Sequence, residues 1–74
     1  EQLPFEFMLN ALRLVEGFEV PLFEHRTGLG WAALAPVRSR LVQRGLLEES
    51  AGQCRPSELG RRFLNDVVAA FLPG

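Results

Sequence analysis

The sequence predicts a mainly α domain with a small β-hairpin, arranged as a winged helix-turn-helix. Three observations carry that expectation. Residues 29–57 hold a helix closed by Gly45, followed by two short extended runs that turn at Ala51-Gly52. Two strongly helical segments, 4–16 and 57–72, lie before and after this unit. Between residues 21 and 45, two helical stretches are joined by the short turn Gly28-Leu29-Gly30, the spacing of a helix-turn-helix.

Seventy-four residues make one small domain. A chain of this size buries only about 60% of its unfolded surface, near the lower limit for independent stability. Six Phe, one Trp and many Leu and Val supply enough apolar mass to exclude a disordered chain. The net charge is −1, from eight Arg and no Lys against nine Asp and Glu. A nucleic-acid binder of this size normally shows a positive excess, so composition weighs against DNA or RNA as the main partner. A single Cys cannot form an internal disulfide, and the chain reads as cytoplasmic. No apolar run is long enough to span a bilayer, and no signal-peptide pattern opens the chain. Entry into a helix from Glu1, without Met, leads to the expectation of a piece of a longer protein.

The first helix is expected over 4–16. Pro4 suits the first turn, where its missing N–H is not needed, and Gly17 ends the run. Its apolar positions cover an arc of roughly 220°, leaving Glu6, Asn10 and Arg13 as the polar strip. Phe18-Glu19-Val20 alternates as a short strand, closed by Pro21. Residues 21–27 make about two helical turns before Gly28. Pro36 would break a helix interior at a cost of about 3 kcal/mol, so the next helix is placed from Ala35. Residues 31–34 form a separate lead-in turn. Leu34, Val37, Leu41 and Val42 face one way, and Arg38, Arg40, Gln43 and Arg44 the other.

Residues 46–50 read as a strand and 53–55 as a weaker return strand that must stop at Pro56 or lie at an edge. Ser57 is a good N-cap, with Glu58 favouring the positive end of the last helix. The apolar positions of that helix, from Leu59 to Leu72, again span roughly 220°, and Pro73-Gly74 reads as its stop. A surface helix needs a stripe only a little over about 100° wide. The surplus at the arc edges, Phe7 and Leu14 in the first helix and Val68 and Leu72 in the last, is therefore expected to form a docking face.

Chemistry-bearing residues are sparse. His25, between Glu24 and Arg26, reads as a solvated surface histidine rather than a haem or metal ligand. Cys54 has Arg55 beside it, which would lower its pKa slightly, but it stands without a partner ligand. Met8 lies within an apolar face and reads as core. Glu48 and Glu49 are strand neighbours, so they point to opposite faces and cannot share a proton. No nucleophile–base pair, metal motif or phosphate loop is present, and no catalysis is expected in this segment. For DNA reading, the start of the second helix must present polar groups to base edges. Here it runs Gly30-Trp31-Ala32-Ala33-Leu34-Ala35-Pro36. Arg38, Arg40 and Arg44 could touch phosphates, yet an acidic wing at Glu48 and Glu49 would oppose them.

Three stretches together resemble a known domain. They are Glu6-Phe7-Met8-Leu9-Asn10-Ala11-Leu12-Arg13-Leu14 with Gly17 soon after; Arg26-Thr27-Gly28-Leu29; and Gly60 with Phe63-Leu64-Asn65-Asp66 running on to Phe71-Leu72. In order and spacing they resemble the C-terminal domain of the oxygen-independent coproporphyrinogen III oxidase-like radical S-adenosylmethionine family, nearest its haem-chaperone branch. The chain departs from the family pattern at Cys54-Arg55-Pro56-Ser57, which replaces an apolar residue and Leu-Thr. The resemblance implies a parent acting in porphyrin and haem metabolism, with a 4Fe-4S cluster and S-adenosylmethionine in an N-terminal barrel and haem as cargo in the chaperone branch. It implies no cofactor within this segment, and partners in that barrel, in haem or in haem-accepting proteins. The expectation is thus an accessory domain, residues 1–74, that docks on the barrel. The alternatives are a nucleic-acid-binding winged helix of a transcription regulator and a homodimerisation module.

Overall fold

The first helix stops early because the chain beyond it has to cross the sheet at close range. In the computed structural model, which describes residues 3–72, helix α1 spans Leu3–Ala11 rather than running to Glu16. Past Leu12 the backbone tightens into turns, with Arg13 N donating to Asn10 O and Leu14 N to Ala11 O, both at 3.4 Å. The crossing itself falls at Gly17. A Cβ there would lie 1.9 Å from the Cys54 carbonyl oxygen, and the backbone is left-handed at φ +71°. Only glycine fits both demands. Gln53 Nε2 donates to Glu16 O at 3.1 Å and holds the same crossing.

Strand β1, Phe18–Glu19, leads into helix α2, Val20–Thr27, with Pro21 in its first turn and Gly28 as a left-handed cap. Thr27 Oγ1 donates to Phe23 O at 2.8 Å and accepts from Leu29 N at 3.1 Å. Glu24 Oε2 accepts from Trp31 N at 2.8 Å, closing the turn between helices. A 3-10 turn at Trp31–Leu34 then feeds α3, Ala35–Gln43, which places Pro36 in the first turn where it costs nothing.

Strands β2, Leu47–Ser50, and β3, Gln53–Pro56, form the hairpin, and β1 pairs antiparallel with β3. The sheet order β1-β3-β2 makes the return strand the central one. The expected fold class, mainly α with a small β-hairpin, is the one observed, with β1 joining the hairpin to make a three-stranded antiparallel sheet; the hairpin after α3 is the one expected as the wing. The expectation of a weak return strand is corrected. Cys54 is fully buried at its centre, paired with Phe18 on one side and Glu49 on the other. Pro56 sits at the strand end, where a missing donor is tolerated.

The last helix is two helices, α4 at Glu58–Arg62 and α5 at Leu64–Ala69. Ser57 caps α4 by accepting from Gly60 N at 2.9 Å while its hydroxyl donates to Gly45 O. Gly60 abuts the Leu46 carbonyl, so α4 is pinned to the base of the hairpin. Helix α5 packs instead against α1, with Val67, Val68 and Phe71 joining Met8 and Leu12 in the core. One straight axis does not meet both demands, and the helix breaks at Phe63, where φ is −116° and ψ 39°. The stop expected at Pro73-Gly74 lies outside the described residues.

The core gathers these elements around Met8, Leu12, Phe18, Phe23, Leu41, Leu47 and Cys54. Met8 is fully buried, as its place on the apolar face predicts. No helix among the described residues is long and apolar enough to cross a membrane.

Candidate functional site

The four residues expected to form a docking face separate in space. Val68 is corrected outright, because it is only 4% exposed and belongs to the core. The break at Phe63 resets the angular phase of α5, so a residue counted at the edge of one continuous helix turns inward. Leu72 is 43% exposed beyond the end of α5 and does not line the groove that holds the other two. Phe7 and Leu14 come together in one groove of about 320 Å³.

The groove lies between the C-terminal end of α1, the turn after it, and α2. Phe7 is half-buried, its ring edge-to-face with Phe18 at 4.9 Å and with Phe23 at 5.2 Å. These rings make a rigid wall, since Phe18 and Phe23 each also meet Trp31 edge-on. Leu14 overhangs the opening at 60% exposure, because α1 has unwound before reaching it. Helix α2 contributes Leu22, exposed, and Arg26 one turn later. These two sequence reasoning missed. The signal was their i, i+4 spacing, too short a pattern to stand out in an eight-residue helix. Asn10 and Arg26 are the groove's polar lining groups, and Arg26 has no ion-pair partner among the described residues.

On the surface that would read DNA, Arg38 is taken up by internal contacts. Arg38 Nη1 donates to both carboxylate oxygens of Glu49 at 3.1 Å, and its guanidinium lies 4.5 Å from the centroid of the Trp31 ring. This clamp ties the wing to the turn before α3. Arg55 Nε donates to Glu48 at 2.9 Å on the opposite face. The two glutamates do point apart, as strand alternation requires. Arg40 on α3 and Arg44 at its C-cap remain exposed, but the helix start offers exposed Ala32, Ala33, Ala35 and Pro36 in place of hydrogen-bonding side chains.

Burial pushes the Cys54 thiol up to about 12, Glu49 adds to the rise, and Arg38 opposes it. The lowering expected from Arg55 does not arise, because that guanidinium is turned to Glu48. His25 is exposed on the last turn of α2. Among the described residues no three His, Cys, Asp or Glu side chains gather to hold a metal. A lone, buried, protonated thiol does not fit an iron–sulfur cluster, whose ligands are thiolates.

The described residues thus form a small, mainly α domain with an open groove lined largely by apolar side chains. The family model of the HemN C-terminal domain matches residues 1–63. The chain belongs to the HemN C-terminal domain family. It is 35% identical over 69 residues to the heme chaperone HemW of Haemophilus influenzae and, over the same length, to the heme chaperone HemW of Escherichia coli. In both cases the match covers 93% of this chain and 18% of the relative. The chain thus spans about a fifth of the length of the curated relatives it matches. No solved structure matches the chain.

Proposed function

We propose that residues 1–74 are the C-terminal accessory domain of a HemW-like radical S-adenosylmethionine protein, and that the domain docks on the N-terminal barrel of its parent through the α1–α2 groove. The parent would act in the cytoplasm, in haem or porphyrin metabolism, with a 4Fe-4S cluster and S-adenosylmethionine held by the barrel and haem or a haem-accepting protein as its partner. Family membership and the likeness to two heme chaperones support the parent's identity. The observation that carries the docking role is the exposed apolar rim of the groove, where Leu14 stands 60% and Leu22 40% exposed around the half-buried Phe7. Water-exposed apolar surface of this kind is covered favourably at about 25 cal/mol per Å².

The test is Leu14→Arg in the full-length parent. Leu14 is exposed in the domain, so the change costs the domain itself no more than about 0.5 kcal/mol. Docking predicts faster proteolysis at the junction between domain and barrel. An unchanged cleavage rate would refute docking through this groove. The domain alone is expected to bind neither S-adenosylmethionine nor a cluster, and a stoichiometric cluster after anaerobic reconstitution of the fragment would overturn that.

A further inference from the structure

Resting on that docking reading, we propose that the groove receives a segment of the parent's own N-terminal portion carrying an apolar side chain and, about one helical turn away, a carboxylate that pairs with Arg26. Arg26 lines the groove with Leu22 one turn before it on α2, so a segment that covers one side chain covers part of the other. Arg26 has no ion-pair partner among the described residues. Covering a guanidinium without an anion is unfavourable, because its hydration is lost and nothing replaces it. A segment that seats on the apolar wall and also covers the exposed Arg26 is therefore expected to bring a negative group. Arginine's planar fork matches a carboxylate, which it can hold by two parallel hydrogen bonds. Residues at i and i+4 on a helix lie about 5–6 Å apart, which sets the distance between apolar anchor and carboxylate on the incoming segment.

Tethering points to the source of the segment. About four-fifths of the homologous relatives lies outside this chain, tethered at high effective concentration. A second copy of the domain is the poorer occupant. It would have to be gathered from solution, whereas a segment of the parent is held close to the groove.

The test uses the full-length parent with a photo-crosslinking residue in place of Leu22, which is 40% exposed. Crosslinks are mapped by mass spectrometry, and backbone hydrogen exchange of α2 is then measured in Arg26→Met and Arg26→Glu variants. The expected result is a crosslink into the N-terminal portion beside an Asp or Glu. Exchange should rise about fivefold in Arg26→Met and further in Arg26→Glu. Changing the mapped acid to Arg should restore protection in the Arg26→Glu background. A crosslink to the barrel with exchange unchanged in both variants would overturn the carboxylate pairing and leave docking standing. A crosslink between two copies would overturn the choice of occupant. No crosslink within the parent would overturn docking and this inference together. Thermal melting of the variants keeps loss of fold distinct from loss of docking, since Arg26 is exposed in the domain.

Discussion

Replacing Gly60 with Ala sets two effects of opposite sign against each other. Gly60 lies in helix α4, and at an exposed helix interior this change stabilises by roughly 1 kcal/mol. At Gly60 the added Cβ would lie 2.0 Å from the Leu46 carbonyl oxygen and 3.0 Å from its carbon. Both are backbone atoms, so relief requires moving the chain and not a side-chain rotamer. Leu46 O accepts from Ser57 N at 3.1 Å, and Ser57 also caps α4 and donates to Gly45 O. Pushing α4 away from Leu46 therefore strains three hydrogen bonds that share one residue. Leaving a buried carbonyl unpaired costs about 1–3 kcal/mol. Weakening the cap adds about 0.5–2 kcal/mol. After the propensity gain, a net loss of about 0.5–4 kcal/mol remains, centred near about 2 kcal/mol. For a domain of this size a loss of about 2 kcal/mol lowers the melting temperature by about 10 °C. Urea denaturation monitored by circular dichroism measures it. Gly30→Ala is the control, because Gly30 has φ −73° and nothing within 4 Å of an added Cβ. That variant should be neutral or gain up to about 1 kcal/mol. Gly60→Ala as stable as the parent sequence would refute the pinning of α4 by close backbone approach.

The same structure makes further outcomes measurable. Ala51 holds φ +52° beside Gly52 at +76°, so Ala51→Asn should stabilise the hairpin by about 0.5–1 kcal/mol in thermal melting. Arg38→Met should cost about 1–2 kcal/mol through loss of the Trp31 and Glu49 contacts. The loss is held down because Arg38 Nε is buried without an acceptor, and the substitution removes that unmet group. The raised Cys54 pKa favours the folded state fully below the unfolded value of 9.0 and ever less as pH climbs to about 12. Urea midpoints should fall over that window, and Cys54→Val should remove the component of the fall that Cys54 supplies. At about pH 8, labelling of Cys54 by a thiol reagent should proceed no faster than the chain unfolds, because the side chain is fully buried.

Features written in local chemistry were legible from the sequence. Gly28, Gly45, the Ala51-Gly52 turn, the Ser57 cap and the displacement of Pro36 to a first turn all depend on a few adjacent residues. What failed depends on distant partners. Periodicity carried α1 on to Glu16 because nothing near Arg13 marks the crossing of Gly17 over Cys54, far along the chain. The central place of β3 could not be read either, since its alternation is short and its second neighbour is a two-residue strand. The break at Phe63 has no Gly or Pro beside it. It arises from competing anchors at Leu46 and in α1, and it turned Val68 from expected surface to core. Half of the candidate groove was visible as apolar surplus at Phe7 and Leu14. The other half, Leu22 and Arg26, sits on a helix with mostly polar neighbours and no surplus to count.

The distribution of paired and unpaired charge gives residues 29–57 their role. Both ion pairs among the described residues lie within this unit, Arg38 to Glu49 and Arg55 to Glu48. Arg38 also sits on Trp31, whose ring edge meets Phe18 and Phe23, and those rings in turn meet Phe7 in the groove wall. A continuous chain of contacts thus runs from the wing to the floor of the groove. Clamping the hairpin to Trp31 holds the aromatic wall, and a held wall would lower the ordering cost of the proposed docking against Phe7. Glu49 is then the counter-charge of an arginine whose contacts are internal, and the hairpin is held to the aromatic cluster that Phe7 joins.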